Sequence, residues 1–298
     1  MIFTLVGCTS AEYKKQIELA EAASEAHDYD SAAQSYEAAL AEKPDETAIR
    51  DKIEEMKLLK TDMQKEALST YYQAVIDGNA QSAYDTLSTS TKSNVTLEQY
   101  SEFLSTMREV SLLKSFRVEK QESNENTFDI VETAESLYDS KELSNTYQAT
   151  VVWENNKWMY DRPDFDVKQR ISDNYVTIGY LYFEGRAGKT LNYYDGIDAC
   201  SKATEYSERN AQAFFCLGYG YSKVENYDSS ITAYEQTLKF MTPEQMEDKS
   251  FKSLLFSNLG AVYILSGDIA EGKSSIEASL QLDPNNARAK SMLAALGE

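Results

Sequence analysis

Very few residues in this chain have the type and spacing that chemistry needs. His27 is the single histidine in 298 residues, and it falls where the pattern predicts a turn. Ser-His-Asp and Cys-His catalysis both need an imidazole beside the nucleophile, so neither is expected. A zinc site is not expected either, because the three cysteines, Cys8, Cys200 and Cys216, form no CxxC pair and have one histidine between them. Cys200 and Cys216 can face each other in an oxidising compartment, but the preferred reading is two small buried helix residues. The loop GRAGKT, Gly185 to Thr190, has the Gly-Lys-Thr ending of a phosphate cradle. Phe183 stands where the first glycine belongs and a helix precedes it in place of a strand, so a helix-to-helix turn is the expectation. Tyr72, Tyr84, Asp85 and Tyr100 are the remaining candidates, as a Tyr/Asp site for proton transfer or as aromatic core. No catalytic residue, metal or cofactor is assigned.

Composition narrows the partners. With 29 Lys and Arg against 49 Asp and Glu, the net charge is −20. Phosphate backbones and anionic lipid both need clustered cations, so nucleic acid and direct membrane adsorption are excluded as partners. A hydrophobic content of 42% with 26% charged residues is that of a globular chain, long enough for two or three cores.

The strongest pattern lies in Ala211 to Leu238. Phe214, Leu217, Gly218 and Tyr221 recur at helical spacing, and Tyr227, Ile231, Tyr234 and Leu238 do so again after a break at Glu225-Asn226. That predicts a helical hairpin, with Gly218 admitting the second helix and Tyr234 filling the angle between the two. The residues resemble the tetratricopeptide repeat. Phe256, Leu259, Gly260 and Tyr263 repeat the set 42 residues later, followed by Gly267, Ile269, Ile276, Leu280 and Pro284. The long step predicts an inserted loop at Met241 to Lys249, after an extended second helix. Ile178, Gly179 and Tyr182, closing with Ile197, Cys200 and Ala203, make a weaker copy that resembles the Sel-type variant. Leu19, Ala20, Ala23, Tyr29, Ala32, Tyr36, Ala39 and Pro44 make an isolated hairpin near the N-terminus, and Arg288 to Leu296 reads as a capping helix.

Between the hairpins the pattern changes. Ile49, Ile53, Met56, Leu59, Met63, Ala67, Tyr71 and Val75 step by threes and fours without Gly or Pro, which predicts one long helix ended by Gly78. Two or three short helices follow, one of them capped at Thr96. Alternation at Phe116 and Val118, at Phe128 and Ile130, and at Tyr147, Ala149, Val151 and Trp153 then predicts strands, with Asn155-Asn156 turning the chain into Lys157 to Tyr160. Helices leading into a sheet that ends in VVWENNKWMYD resemble the nuclear transport factor two-like (cystatin-like) fold. The fold class expected is therefore mainly α with an α+β insert: helical hairpin repeats in an α-solenoid plus a small cone-shaped antiparallel-sheet domain. The expected parts are a hairpin at 9–45, a connecting helix at 46–77, the α+β domain at 78–165 and a repeat array with capping helix at 171–298.

The first residues, MIFTLVGC, end in Leu5-Val6-Gly7-Cys8 and resemble a bacterial lipobox, although seven residues precede Cys8 and none is basic. The resemblance implies a lipid on Cys8, a membrane anchor through that lipid alone and a place in the cell envelope. What the repeats imply is binding. In each first helix the residues turned by about 100° from the core set face inward. These are Tyr180, Phe183, Phe215 and Tyr219, with Asn258 the one residue suggestive of a clamp for a C-terminal carboxylate. By resemblance that groove takes a peptide or a partner helix, although packing on a neighbouring helix would use the same residues. The expected function is a non-catalytic, lipid-anchored scaffold for other proteins. The alternatives are a cytoplasmic adaptor, or a small-molecule-binding or isomerase-like pocket in the middle domain.

Overall fold

Four-residue recurrences of small and aromatic side chains dominate the chain and fold as helical hairpins, and a small, curled antiparallel sheet is inserted among them in the sequence. The structure is a computed structural model that describes residues 10–122 and 124–297. Cys8 and its lipobox lie outside the described residues.

The chain divides into two compact units. The first comprises the described residues up to Thr96 together with Leu113–Thr133 and Ser144–Phe165. It opens with α1 (Ala11–Glu25) and α2 (Tyr29–Glu42), joined by a turn at His27 with φ of 60°. Ala20, Ala32, Tyr36 and Ala39 are buried between them, and Ile49, Ile53 and Met56 of α3 (Thr47–Asp77) complete that core. Leu19, expected in the core, is 47% exposed. It sits one position before Ala20, about 100° round the helix, so only one of the two can face α2. Gly78, at φ 74°, ends α3 in the left-handed conformation that a side chain would resist. Buried Lys60 projects from the middle of α3 to Asp30 at 2.6 Å and Glu125 at 3.2 Å, so its desolvated ammonium is held by two carboxylates.

Where two or three short helices are expected, two short ones, α4 (Ala80–Asp85) and α5 (Thr89–Asn94), precede a full-length helix, α6 (Leu97–Val110). The sheet then runs β1 (Ser111–Lys120), β2 (Thr127–Ser136), β3 (Glu142–Glu154) and β4 (Lys157–Asp161), in spatial order β1-β2-β3-β4. Asn155 and Asn156 both take positive φ, 52° and 61°, the geometry of a two-residue hairpin turn. They pair β3 with β4 so that Trp153 faces Trp158 and Val151 faces Tyr160. The segment before α5 adds to β4: Ser88 N–H donates to the Tyr160 carbonyl at 2.8 Å, and Tyr160 N–H to that of Thr86 at 2.9 Å.

The second unit comprises Leu97–Leu112, Ala134–Leu143 and Asp166 onward, so α6 and the β2–β3 turn cluster with the repeats. Its hairpins are α7 (Val167–Glu184) with α8 (Tyr193–Tyr206), α9 (Ala211–Lys223) with α10 (Tyr227–Phe240), and α12 (Lys249–Ser266) with α13 (Ile269–Leu282), closed by α14 (Ala287–Ala295). The insert departs from expectation. The second helix α10 has 14 residues, as α13 does, and the extra chain forms a short helix, α11 (Pro243–Glu247), capped by Thr242 and Gln245. Pro284, the expected stop of the repeat, is exposed and lies just after the end of α13. Cys200 of α8 and Cys216 of α9, preferred above as separate thiols, are joined as a disulfide.

Candidate functional site

The first helices of the three hairpins, α7, α9 and α12, neighbour one another, and the residues expected on their common face divide into two kinds. Phe183 is buried between backbone positions, since a side chain added at Gly196 or Gly220 would meet its ring at 2.2 or 2.7 Å. Phe215 is buried against Tyr234 and Phe251, with ring centroids at 5.6 and 5.3 Å. Both are core residues. A rotation of about 100° from the α9–α10 contact points partly at the next hairpin, and these two rings fill that joint. Tyr180 and Tyr219 are half-buried, with centroids 6.3 Å apart, and both pack against the core around Phe183; burial pushes the Tyr180 hydroxyl up.

Asn258 is buried, and its Oδ1 accepts from Arg288 at 2.6 Å. Arg288, exposed in the first turn of α14, was not assigned from sequence; its only signal was its position at the head of the capping helix, which packs against α12. It also bears on the tyrosines. Burial pushes the hydroxyls of Tyr219 and Tyr234 up, and the Arg288 guanidinium acts against that in both, while Glu184 adds to it at Tyr219. Arg288 and Glu184 thus both act on Tyr219, with opposite sign. Beside the carboxylate lies Tyr138 from the β2–β3 turn, whose hydroxyl donates to Glu184 Oε1 at 2.6 Å while its carbonyl accepts from Arg186 at 3.0 Å. Arg186 also stacks 4.8 Å over the Tyr138 ring.

The loop at Gly185 to Thr190 engages its own cations. Lys189 pairs with Glu109 at 2.5 Å and Arg186 with Glu184 at 2.6 Å, which is the behaviour of a connecting turn. The Tyr/Asp candidates are not brought together: Asp85 is exposed, Tyr84 donates to the Val95 carbonyl at 2.9 Å, and Tyr100 is buried against Phe103. Among the described residues no group of three or more His, Cys, Asp and Glu is placed to hold a metal ion, and no helix is long and apolar enough to cross a membrane.

A polar cluster that no sequence motif announced lies where α3 meets the sheet. Tyr147 donates to Glu132 Oε2 at 2.9 Å, the Tyr72 and Tyr147 hydroxyls stand 2.9 Å apart, and Tyr72 is 3.2 Å from the Tyr160 hydroxyl. Arg162 donates to the Tyr71 hydroxyl at 3.2 Å and stacks 4.0 Å over Phe165. Residues from position 71 to position 162 meet here, so the spacing in the chain carries no trace of it. Burial is the main cause that holds Tyr72, Tyr147 and Tyr160 above their ordinary value, with Glu132 adding to the rise at Tyr147. Such groups stay protonated in the folded chain while the unfolded chain ionises near pH ~10. The folded state then holds more protons, so stability is full below that pH and is lost as pH rises through it. Phenolate absorbance is accordingly expected to rise in two phases, the second coinciding with loss of helical circular dichroism. Smooth ionisation of all 21 tyrosines in a chain that stays folded would contradict this.

No family model matches the chain, and no curated protein matches it. Solved structures do. The first tetratricopeptide domain of human RPAP3 is 20% identical over 42% of this chain and 89% of its own, with a TM-score of 0.36. The type III secretion translocator chaperone SycD of Yersinia enterocolitica is 19% identical over 42% of this chain and 91% of its own, at 0.35. A thermophilic tetratricopeptide protein of Thermus thermophilus is 12% identical over 95% of this chain and 97% of its own, at 0.32. Scores of this size carry no argument, and the hairpin architecture rests on the contacts described above.

Proposed function

We propose that the chain is a non-catalytic scaffold that holds another protein, as an extended segment or a helix, on the face shared by α7, α9 and α12. The observation that carries this is the half-buried pair Tyr180 and Tyr219, with Arg288 and Glu184 both acting on Tyr219. Two aromatic side chains supply contact area at low entropic cost, and the Arg288 cation beside them favours an acidic segment. The lipobox resemblance adds a lipid on Cys8 and a place on the cell envelope. The order of helices and antiparallel strands supports reading residues 78–165 as nuclear transport factor two-like, here serving as a structural insert.

A photo-reactive phenylalanine at position 219, in the full chain in its own host, tests the face, with position 194 as control because Tyr194 is 73% exposed and belongs to α8, not to a first helix. A discrete cross-linked species is expected at 219 and not at 194, and Arg288→Glu is expected to reduce it about tenfold, the ~1.4 kcal/mol scale of one charge-assisted contact. Equal labelling at the two positions would remove the proposed groove. Detergent-phase partition of the parent beside Cys8→Ser tests the anchor separately.

A further inference from the structure

Two cysteines remain after the scaffold reading is drawn, and they are in one place. Cys200 and Cys216 have Cα atoms 5.8 Å apart, within the usual span of a disulfide, and both are fully buried. They link the second helix of one hairpin to the first helix of the next. The third wall is α7. A β-carbon added at Gly179 would meet Cys200 Sγ at 2.4 Å and Cys216 Sγ at 2.9 Å, so the α7 backbone lies directly on the sulfurs. Val176, Phe183, Ala203, Ala213 and Leu217 close the remaining sides. Thiol–disulfide exchange needs a third sulfur to approach the bond, and in the folded unit there is no room for one.

We infer that the Cys200–Cys216 bond is made before α7 docks on α8 and α9, by exchange with a disulfide oxidant of an oxidising compartment, and that docking then seals it. In that exchange one cysteine thiolate attacks the oxidant's disulfide, forming a mixed disulfide and expelling one thiolate. The second cysteine thiolate attacks the first Sγ and expels the other. Two electrons and two protons pass from the cysteine pair to the oxidant, which leaves as two thiols. A chain folded in a reducing cytosol would bury the same pair as thiols. This rests on the packing around the sulfurs and is independent of any lipid on Cys8.

The test uses the full chain carrying Cys8→Ser, so that only the pair reports, made in a reducing cytosol and freed of reductant. One sample is exposed to glutathione disulfide in buffer. The other is exposed to it in urea and then diluted to refold. Both are alkylated with iodoacetamide in denaturant without reductant and mapped by peptide mass. The expected result is a Cys200–Cys216 cross-linked peptide in the urea sample and oxidation at least tenfold slower in buffer. Once formed and refolded, the bond is expected to resist reduced glutathione in buffer and to yield to it in urea. If the reduced chain fails to fold by circular dichroism, the requirement for early oxidation stands in a stronger form. If a reduced chain with native circular dichroism oxidises as fast as the unfolded one, or if the parent chain from its own host carries both cysteines as free thiols, the inference is overturned.

Discussion

Gly260→Leu is expected to separate the last hairpin, lowering stability by about 3 kcal/mol or more and removing the helical signal of α13 and α14 first. The reason is contact between backbones. A β-carbon at position 260 would stand 2.9 Å from the Gly272 carbonyl oxygen and 2.8 Å from Ile276 Cγ1. A side-chain neighbour can rotate away, but a carbonyl in the first turn of α13 moves only with its helix. Gly260→Ala brings the smallest such atom and partly offsets the clash through the higher helix propensity of alanine, ~1 kcal/mol, so it should fall between parent and Gly260→Leu. Urea denaturation followed by circular dichroism measures the total, and hydrogen exchange by mass spectrometry locates it. Parent-like stability in Gly260→Leu would mean that α12 and α13 do not approach as described.

Tyr234→Ala is expected to cost about 3–5 kcal/mol, the range for removing a fully buried aromatic ring. Its ring lies against Gly218, where an added β-carbon would come within 2.6 Å, and packs at 5.6 Å from Phe215. Removing it therefore opens a cavity both inside the α9–α10 hairpin and at the joint to α12. Tyr234→Phe keeps the ring and gives up only the hydroxyl, so a loss nearer ~1 kcal/mol is expected. Melting of the two variants beside the parent separates packing from hydrogen bonding. Equal losses in both would assign the stability to the hydroxyl.

These two positions were also the most legible in the sequence, because a glycine and a tyrosine at fixed helical offsets have one geometric meaning. Gly78 and Asn155-Asn156 were readable for the same reason, since positive φ restricts which residues are used. What failed was whatever depends on direction around a helix or on partners far along the chain. Leu19 and Ala20 both fit an apolar stripe, and only the position of α2 decides between them. Phe183 and Phe215 were read toward a groove when the joint to the next hairpin needed them. The start of β3 at Glu142 is polar and exposed on successive residues, so alternation gave no sign of it. Arg288 and the tyrosine cluster around Tyr72 and Tyr147 are products of tertiary assembly, invisible to any window of sequence.

The partition of the chain into its two units has a practical consequence for anyone who would take the protein apart. Passing from one unit to the other, the polypeptide changes allegiance five times, at 96/97, 112/113, 133/134, 143/144 and 165/166. No single cut separates them. An array excised from Asp166 onward leaves behind α6, whose Glu102 bonds the Tyr175 hydroxyl, and the turn that presents Tyr138 to Glu184. The repeats are modular in their internal pattern, yet this array depends on two segments that precede Asp166 in the chain, so a boundary drawn at 166 would strip the unit of its own parts.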